Sequence, residues 1–391
     1  MFAFELWREF KLSISEIFKV FPDSKSVFFD KNILILDNLE KSEILSKSKN
    51  IWWTIKIIEV KEVFWSEENI FSENLPLDNF EWKFNYAINI YWQKKSLKEI
   101  LKISKNIIKS ASLNPRFINQ DFKNVSSVQI IKEALVKKWT DFNLIYWEWK
   151  IFFGNTIFVQ DIYAYSNRDY GKDRDMHVWM LPPKLAQMMI NIWVERKKEK
   201  GESICIYDPF VWLWTVLIES IYMWNKKVFW SDLSEKMVET SNENLDKLIE
   251  KFNFEKNIFF QNAKYISEVN IFSEIDSIVT EWYLWEIMTK NNINFERIEK
   301  QREKLSDLYE WFFSWLQKKD FKWNIVISFP FWELNGKYFY FEEIYDIINK
   351  YCNILEILPE NFAYLKTKVW SLLYKRDAQL VGREIFVLKI K

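Results

Sequence analysis

Short apolar runs and helix-spaced apolar residues alternate along the chain, and their order changes character near residue 200. Before residue 92, brief strands are read at Val27–Phe29, Ile33–Leu36 and Thr54–Val60, beside a helix-like stretch at Ile14–Phe21. That mixture suggests a small α+β module. Leu97–Ser110 places apolar residues at helical spacing with lysines on the opposite face, and Asn114-Pro115-Arg116-Phe117 ends it in a turn or strand. Ser166–Asp175 is polar, and Met180–Ile192 reads as an apolar helix opened by Pro182-Pro183. From Ile204 the order is strand, helix, strand, helix: Ile204–Tyr207, Val216–Met223, Lys227–Phe229, Ser234–Phe252, Ile258–Phe260 and Ser277–Val279. Asn324–Phe329, Ile354–Leu358 and Ile385–Ile390 read as later strands. Such alternation predicts a doubly wound, mostly parallel sheet in the second half of the chain.

Composition narrows the chemistry. Hydrophobic residues make up 49% and charged residues 28% of 391, which is globular usage. Two cysteines, Cys205 and Cys352, are too few for a disulfide framework or a cysteine zinc site, and one histidine, His177, excludes multi-histidine metal sites and histidine-centred triads. No apolar run reaches the roughly 18 residues of a membrane span, and MFAFELWREFKL carries charges where a signal sequence is apolar. A cytoplasmic chain is expected, with no membrane and no metal. Charge is balanced overall but not locally. Residues 93–138 hold eleven basic residues (among them Lys94, Lys95, Lys98, Lys102, Arg116, Lys137 and Lys138) against Glu99, Asp121 and Glu133, a local net of +8 on a chain of net zero. That concentration points to nucleic acid, and a solvated helix face is the alternative.

The anomaly is 22 Trp against 5 Gly. Average usage predicts roughly 27 glycines in a chain of this length, and the two counts together make 27. Several tryptophans also stand where the backbone calls for glycine. Trp52 and Trp53 precede a strand in the manner of a Gly-Gly turn, and Trp139 and Trp193 follow helices at the position of a left-handed cap. Most of these tryptophans therefore read as glycines encoded by UGA and translated as tryptophan. Trp332 is the best candidate for a true tryptophan.

The turn Asp208–Thr215 (DPFVWLWT) joins the first strand of the alternating half to its helix. Glycine at Trp212 and Trp214 would give D-P-F-V-G-L-G-T, whose backbone can approach a nucleotide-like ligand closely. Asp232, about 20 residues on, ends the second strand and is placed to accept from ribose hydroxyls. Opening with Asp-Pro-Phe separates this turn from nicotinamide enzymes and points to S-adenosylmethionine.

The region 161–391 resembles the THUMP-containing RNA guanosine-N2 methyltransferases that modify tRNA. The resemblance rests on Arg168-Asp169, Met180-Leu-Pro-Pro-Lys-Leu-Ala186, Asp208-Pro-Phe210, Ser231-Asp232 and Tyr374–Glu384 (YKRDAQLVGRE). It is weaker in the first 150 residues, where Arg116-Phe117 and Lys137-Lys138-Trp139 carry it. It implies three domains: a ferredoxin-like module over 1–80, a THUMP-like RNA-binding domain over 81–160, and a Rossmann-like methyltransferase domain over 161–391 with a seven-stranded sheet. It further implies that Lys184, Asp208, Pro209, Phe210, Trp212, Trp214 and Thr215 contact S-adenosylmethionine, that Asp232 holds its ribose, and that Asn262-Ala263 lies beside its adenine.

Methylating an exocyclic amine requires drawing its lone pair out of conjugation, which related enzymes do with an acid or amide, two prolines and an aromatic. Here the strand ends Thr280-Glu281-Trp282-Tyr283, without the prolines. Thr280, Glu281 and Tyr283 are the expected catalytic residues, Glu281 accepting the amine and Tyr283 stacking on the flipped base. Tyr374, Arg376, Gln379, Arg383 and Glu384 form either a wall of the base pocket or of the domain interface, or a sheet-edge ion pair of Arg383 and Glu384 with their neighbours. Transfer from a sulfonium is a direct displacement and calls for no metal. Two alternatives stay open: an RNA-binding protein of this fold without catalysis, and a DNA amino-methyltransferase.

Overall fold

The structure, a computed structural model, describes the chain except for residues 66–69, 93–95, 164–180, 194–203, 212–214, 224–226, 233–238, 240–242, 244, 246–273, 282–287 and 378. Two compact units result, Met1–Tyr170 and Gly171–Lys391.

The first unit is built on one eight-stranded sheet: β1 (Phe2–Leu6), β2 (Lys25–Phe29), β3 (Ile33–Asp37), β4 (Thr54–Phe64), β5 (Lys83–Tyr91), β6 (Asn114–Phe117), β7 (Asp141–Trp147) and β8 (Lys150–Val159), in the order β2-β3-β1-β4-β8-β7-β5-β6. Pairing is antiparallel except where β5 meets β6 and β7. The expected boundary at residue 80 falls between β4 and β5, and strands from both sides share this sheet. β4 bends through two register shifts against β8. There Gly154 passes so close that a Cβ would lie 2.2 Å from the Glu59 carbonyl oxygen, so no other residue fits.

Its helices are α1 (Phe10–Val20), α2 (Lys41–Lys47), α3 (Ile70–Asn74), α4 (Leu97–Ser110), α5 (Ser127–Lys132) and α6 (Leu135–Lys138). The periodicity of 97–110 gives α4 as expected, with the Ser96 hydroxyl accepting from the Lys98 N–H at its start. α4 buries Ile100, Leu101 and Ile108 against Phe84, Tyr86 and Ile88. Ile130 of α5 and Leu135 of α6 pack instead with Ala87. Because strand side chains alternate, the two sets cover opposite faces of β5.

A buried polar cluster ties the strands of this unit together. The Lys56 ammonium, fully buried, lies 3.3 Å from Asp141 and 3.7 Å from Glu5. Asp141 also accepts from Thr156 at 2.5 Å and Asn89 at 2.7 Å, and the Tyr91 hydroxyl donates to Glu5 at 2.7 Å. Burial and those carboxylates push the Tyr91 phenol far above its usual range. Every charge in the cluster has a partner, as a low-dielectric interior requires.

The second unit contains β9 (Cys205–Asp208), β10 (Lys227–Trp230), β11 (Ser277–Glu281), β12 (Asn324–Leu334), β13 (Lys337–Tyr340), β14 (Cys352–Ile354), β15 (Leu372–Tyr374) and β16 (Val381–Ile390). The main path is β10-β9-β11-β12-β16-β14, with β13 added to β12 and β15 to β16. β10, β9, β11 and β12 are parallel, and β16 enters antiparallel between β12 and β14. The chain is thus an α/β protein with a mostly parallel Rossmann-like sheet after an α+β half. The expected strand Ile258–Phe260 lies outside the described residues, as does Ser234–Phe252 save for Glu239, Glu243 and Leu245.

One late strand is displaced from its expected place. Ile354–Leu358 was read as a strand, but β14 ends at Ile354, and Ile357 and Leu358 are buried in the turn before Pro359. Among the described residues the α-helices of this unit include α7 (Pro183–Trp193), α8 (Thr215–Tyr222), α9 (Phe295–Lys318) and α10 (Glu343–Tyr351). Tyr309, Phe312, Phe313 and Leu316 of α9 pack with Phe329, Phe341 and Phe386 in the main core. Arg302 of α9 donates to both carboxylate oxygens of Glu343, at 2.8 and 2.7 Å, pinning α9 to the start of α10.

Candidate active site

From β9 the chain crosses to β10 on one side and returns to β11 on the other. This reversal is a topological switch point, where open α/β sheets bind ligands outside the carboxyl ends of their strands. Asp208 is the last residue of β9, Glu281 the last of β11, and Asp232 follows β10 by two residues. Asp208 and Asp232 are each only 3% exposed.

Backbone contacts hold the start of the turn in place. The Ser231 N–H donates to the Asp208 carbonyl and the Val211 N–H to the Ser231 carbonyl, each at 3.1 Å. The Ser231 hydroxyl donates to the Pro209 carbonyl, also at 3.1 Å. Phe210 is buried against Phe312 and Tyr309 of α9, at ring separations of 5.3 and 6.5 Å, so it anchors the turn in the core. Thr215 opens α8 in a buried position, and Lys184, in the first turn of α7, is half-buried.

Alternation along β11 sends its last two side chains to different partners. The Thr280 hydroxyl donates to Asp208 Oδ1 at 2.6 Å, and the Phe210 N–H donates to the same oxygen at 3.2 Å. Burial nevertheless pushes the Asp208 carboxyl up to about 7; those two donors pull it down, and Asp232 and Glu281 nearby push it up. Glu281 instead accepts from Arg383 Nε of β16 at 2.5 Å. Burial raises the Glu281 carboxyl, and the guanidinium opposes the rise. Thr280 is therefore brought to Asp208, while Glu281 is brought to Arg383.

This excludes the alternative of an Arg383–Glu384 ion pair at the C-terminus. Arg383 and Glu384 are neighbours on one strand and point to opposite faces. Arg383 meets Glu281, whereas Glu384 accepts from Ser371 at 2.5 Å and Tyr345 at 2.8 Å. Register predicts Arg383's reach: β16 pairs antiparallel with β12, setting Arg383 opposite Pro330, and Ser328 of β12 is level with Glu281. The link between β11 and β16 was missed because the two strands are a hundred residues apart and β12 separates them. An arginine set within the largely apolar strand VGREIFVLKI was the available signal.

Of the remaining expected site residues, Tyr283, Trp212, Trp214, Asn262, Ala263, Lys94 and Lys95 lie outside the described residues. The basic segment does not make a single face. Lys98 and Lys102, with Lys105 and Lys109, lie along α4; Arg116 lies on β6, the last strand of its sheet; and Lys137 and Lys138 lie on α6, on the opposite face from α4. The charge thus surrounds the β6 edge. Arg116 is drawn toward Glu133 at 3.5 Å, while the four lysines of α4 form no ion pair among the described residues.

Among the described residues, three tryptophans adopt the left-handed backbone region: Trp92 (φ 56°), Trp139 (φ 56°) and Trp370 (φ 66°), all exposed. Trp139 caps α6 at the expected position. Trp53 departs from the glycine pattern. Its φ is not positive, its side chain is buried, and its N–H, like that of Trp52, donates to the buried Glu16 carboxylate. Trp332 is fully buried in the main core.

Together these features define a two-unit α/β protein with buried acids at the switch point of its Rossmann-like sheet. No family model matches the chain, and no curated protein does. Among solved structures it is similar to TrmN from Thermus thermophilus, with a TM-score of 0.50 and 12% identity, covering 100% of this chain and 99% of that one. It is also similar to a possible methylase from Clostridium difficile 630, with a TM-score of 0.42 and 10% identity, covering 98% and 97%. The likeness to TrmN is one of fold, and it spans both units.

Proposed function

We propose that the chain is an S-adenosylmethionine-dependent methyltransferase acting on guanosine N2 in structured RNA, with tRNA as the substrate class. The observation that carries this reading is the pair of carboxylates, the buried Asp208 and the half-buried Glu281, ending adjacent strands at the switch point, each held by a different partner. The fold shared with TrmN supports it. The site also fits the cofactor chemically: Asp208 and Asp232 are buried acceptors suited to a cationic amino acid group and a ribose diol. Asp208, Asp232, Lys184 and the turn through Thr215 would hold S-adenosylmethionine, with Asn262-Ala263 beside its adenine. The cofactor supplies an electrophilic methyl group on a sulfonium. Glu281 accepts a hydrogen bond from the target amine and turns its lone pair out of the ring, Tyr283 stacks on the base, and Thr280 fixes the Asp208 carboxylate.

Glycine at Trp212 and Trp214, through UGA read as glycine, belongs to the same reading, because two indoles would fill the space the cofactor needs. The left-handed backbone at Trp92, Trp139 and Trp370 supports it, since a bulky side chain there is strained by about 1–2 kcal/mol. UGG at most of the 22 tryptophan codons would refute the recoding. The first unit serves as the ferredoxin-like and THUMP-like half, binding RNA through the basic edge around β6. A second reading, RNA binding without catalysis, is favoured by the missing prolines after Glu281.

The test is to express the chain with UGA positions as glycine, supply methyl-labelled S-adenosylmethionine and tRNA, and digest the RNA for nucleoside mass spectrometry. Labelled N2-methylguanosine, lost in Glu281→Ala, is expected. Label on another nucleoside would refute guanine N2, and no label despite cofactor binding would leave the non-catalytic reading.

A further inference from the structure

The Glu281–Arg383 ion pair is only half closed. An arginine facing a carboxylate normally uses two parallel N–H groups on two oxygens. Here Nε meets Oε1 at 2.5 Å, while Arg383 Nη2 is buried without a hydrogen-bond partner among the described residues. Glu281 Oε2 likewise accepts no hydrogen bond among them. A third group stands close by: Ser328, level with Glu281 on β12, is buried with its hydroxyl unpartnered among the described residues. A buried guanidinium N–H without an acceptor costs about 1–3 kcal/mol, and beside a carboxylate at a strand end a ligand acceptor would remove that cost.

The fork is also held rigid. Arg383 is 5% exposed. Beside it, Gly382 lies so close to the Phe331 ring that a Cβ would come within 2.1 Å of ring carbon, so the strand and the ring fix each other's position. All of this stands level with the carboxyl end of β11, on the ligand side of the sheet.

We propose that Arg383 is a specificity-determining residue: with Glu281 it forms a fork that reads the edge of the acceptor base, Glu281 Oε2 accepting from amino and ring N–H groups and Arg383 Nη2 donating to the adjacent ring carbonyl. Guanine presents those groups side by side, with N2–H and N1–H donors next to the O6 acceptor. Adenine offers no ring N–H and no carbonyl there. The proposal rests on the methyltransferase reading of the site. A base of the wrong pattern leaves the buried Arg383 donor or the half-buried Glu281 acceptor unpaired, which is the strongest source of discrimination a small site possesses.

The fork carries a second signature. The charged groups around Glu281 are Arg383 of β16 and Asp208 of β9, with Asp232 beyond β10 acting on Asp208. Arg383 is the cation that opposes the burial-driven rise of the Glu281 carboxyl. Removing it lets Glu281 keep its proton to higher pH.

The experiment compares the full chain, carrying glycine at the UGA positions, with Arg383→Gln and Arg383→Lys. First, wild type must bind S-adenosylmethionine by calorimetry and label guanosine in tRNA; failure at that stage refutes the methyltransferase reading rather than the fork. Next, the labelled nucleotide is replaced by 2-aminopurine, which keeps the amine and lacks both O6, read by Arg383, and the ring N–H, read by Glu281. Wild type is expected to methylate guanosine about 100-fold faster than 2-aminopurine, and Arg383→Gln to lose guanosine activity until that preference has shrunk by at least about tenfold, the remainder coming from the ring N–H that Glu281 still reads. Cofactor affinity should stay within about twofold in both variants. The acid limb of the pH profile should move up by about one unit in Arg383→Gln and partway back in Arg383→Lys. If Arg383→Gln keeps its preference for guanosine over 2-aminopurine, or if its acid limb does not move, the fork is refuted. Should Arg383→Gln fail to fold, Arg383→Lys alone decides: unaltered discrimination there refutes the proposal.

Discussion

Replacing Asp208 by asparagine should stabilise the folded chain at neutral and alkaline pH. Unfolded aspartate releases its proton near its ordinary value of 3.8, whereas native Asp208 keeps it until about 7. Between those values the native state binds a proton that the unfolded state has lost, so stability falls as pH rises through the window. Roughly three pH units at about 1.36 kcal/mol each come to about 4 kcal/mol lost by the wild type above pH 7. Asparagine carries no charge at any pH, and its Oδ1 can still accept from Thr280 and Phe210 as Asp208 does. A missing partner for the new amide would lower stability equally at every pH, so the slope is the quantity to read. Urea unfolding of both chains without cofactor, from about pH 4 to about pH 8, should give a difference that grows in favour of Asp208→Asn across the window and then levels. Hydrogen exchange at 205–208 ties the change to β9. A difference independent of pH, or one that grows in favour of the wild type, would refute the reasoning.

Three further outcomes follow from the same geometry. Thr280→Val removes the 2.6 Å donor to Asp208, so the fall in stability should still begin near the unfolded value but continue about one pH unit higher than in the wild type in the same unfolding series. Lys56→Met leaves Asp141 and Glu5 without their buried cation and should destabilise the first unit by about 3–5 kcal/mol in denaturant; Met fills the volume, so a loss below about 1 kcal/mol would show that the cluster holds no net charge interaction. Trp139→Gly should raise stability by about 1 kcal/mol through relief of its left-handed backbone. Its indole also lies over Lys41 and Lys61, at 4.7 and 5.5 Å, and a net loss on substitution would mark it as a native tryptophan.

The elements that define the site were legible where local pattern decides structure. The periodicity of 97–110 gives α4 to the residue, and the alternation after Ile204 gives β9, α8, β10 and β11 within a residue or two. The turn Asp208-Pro-Phe and the acids Asp232 and Glu281 were legible because strand ends are marked by the residues that stop them. Features set by tertiary pairing were not. α9 spans 24 residues with charge on much of its surface, so its apolar stripe of Tyr309, Phe312, Phe313 and Leu316 does not stand out until Phe329 and Phe386 cover it. The partner of Glu281 depends on β16 turning antiparallel beside β12, a choice no local residue dictates. Trp52-Trp53 shows the same limit from the other side: the pair resembles a glycine turn, but the distant Glu16 carboxylate collects both N–H groups.

Calorimetric titration of S-adenosylmethionine into the full chain, with glycine at 212 and 214, puts the proposed site to the test. Binding should occur at one site, tighten as pH rises through the ionisation of Asp208, and vanish in Asp232→Ala while that variant keeps the wild-type unfolding midpoint. Absence of heat and of thermal protection at saturating cofactor, in a chain that folds, would contradict the assignment of the switch point as a cofactor site.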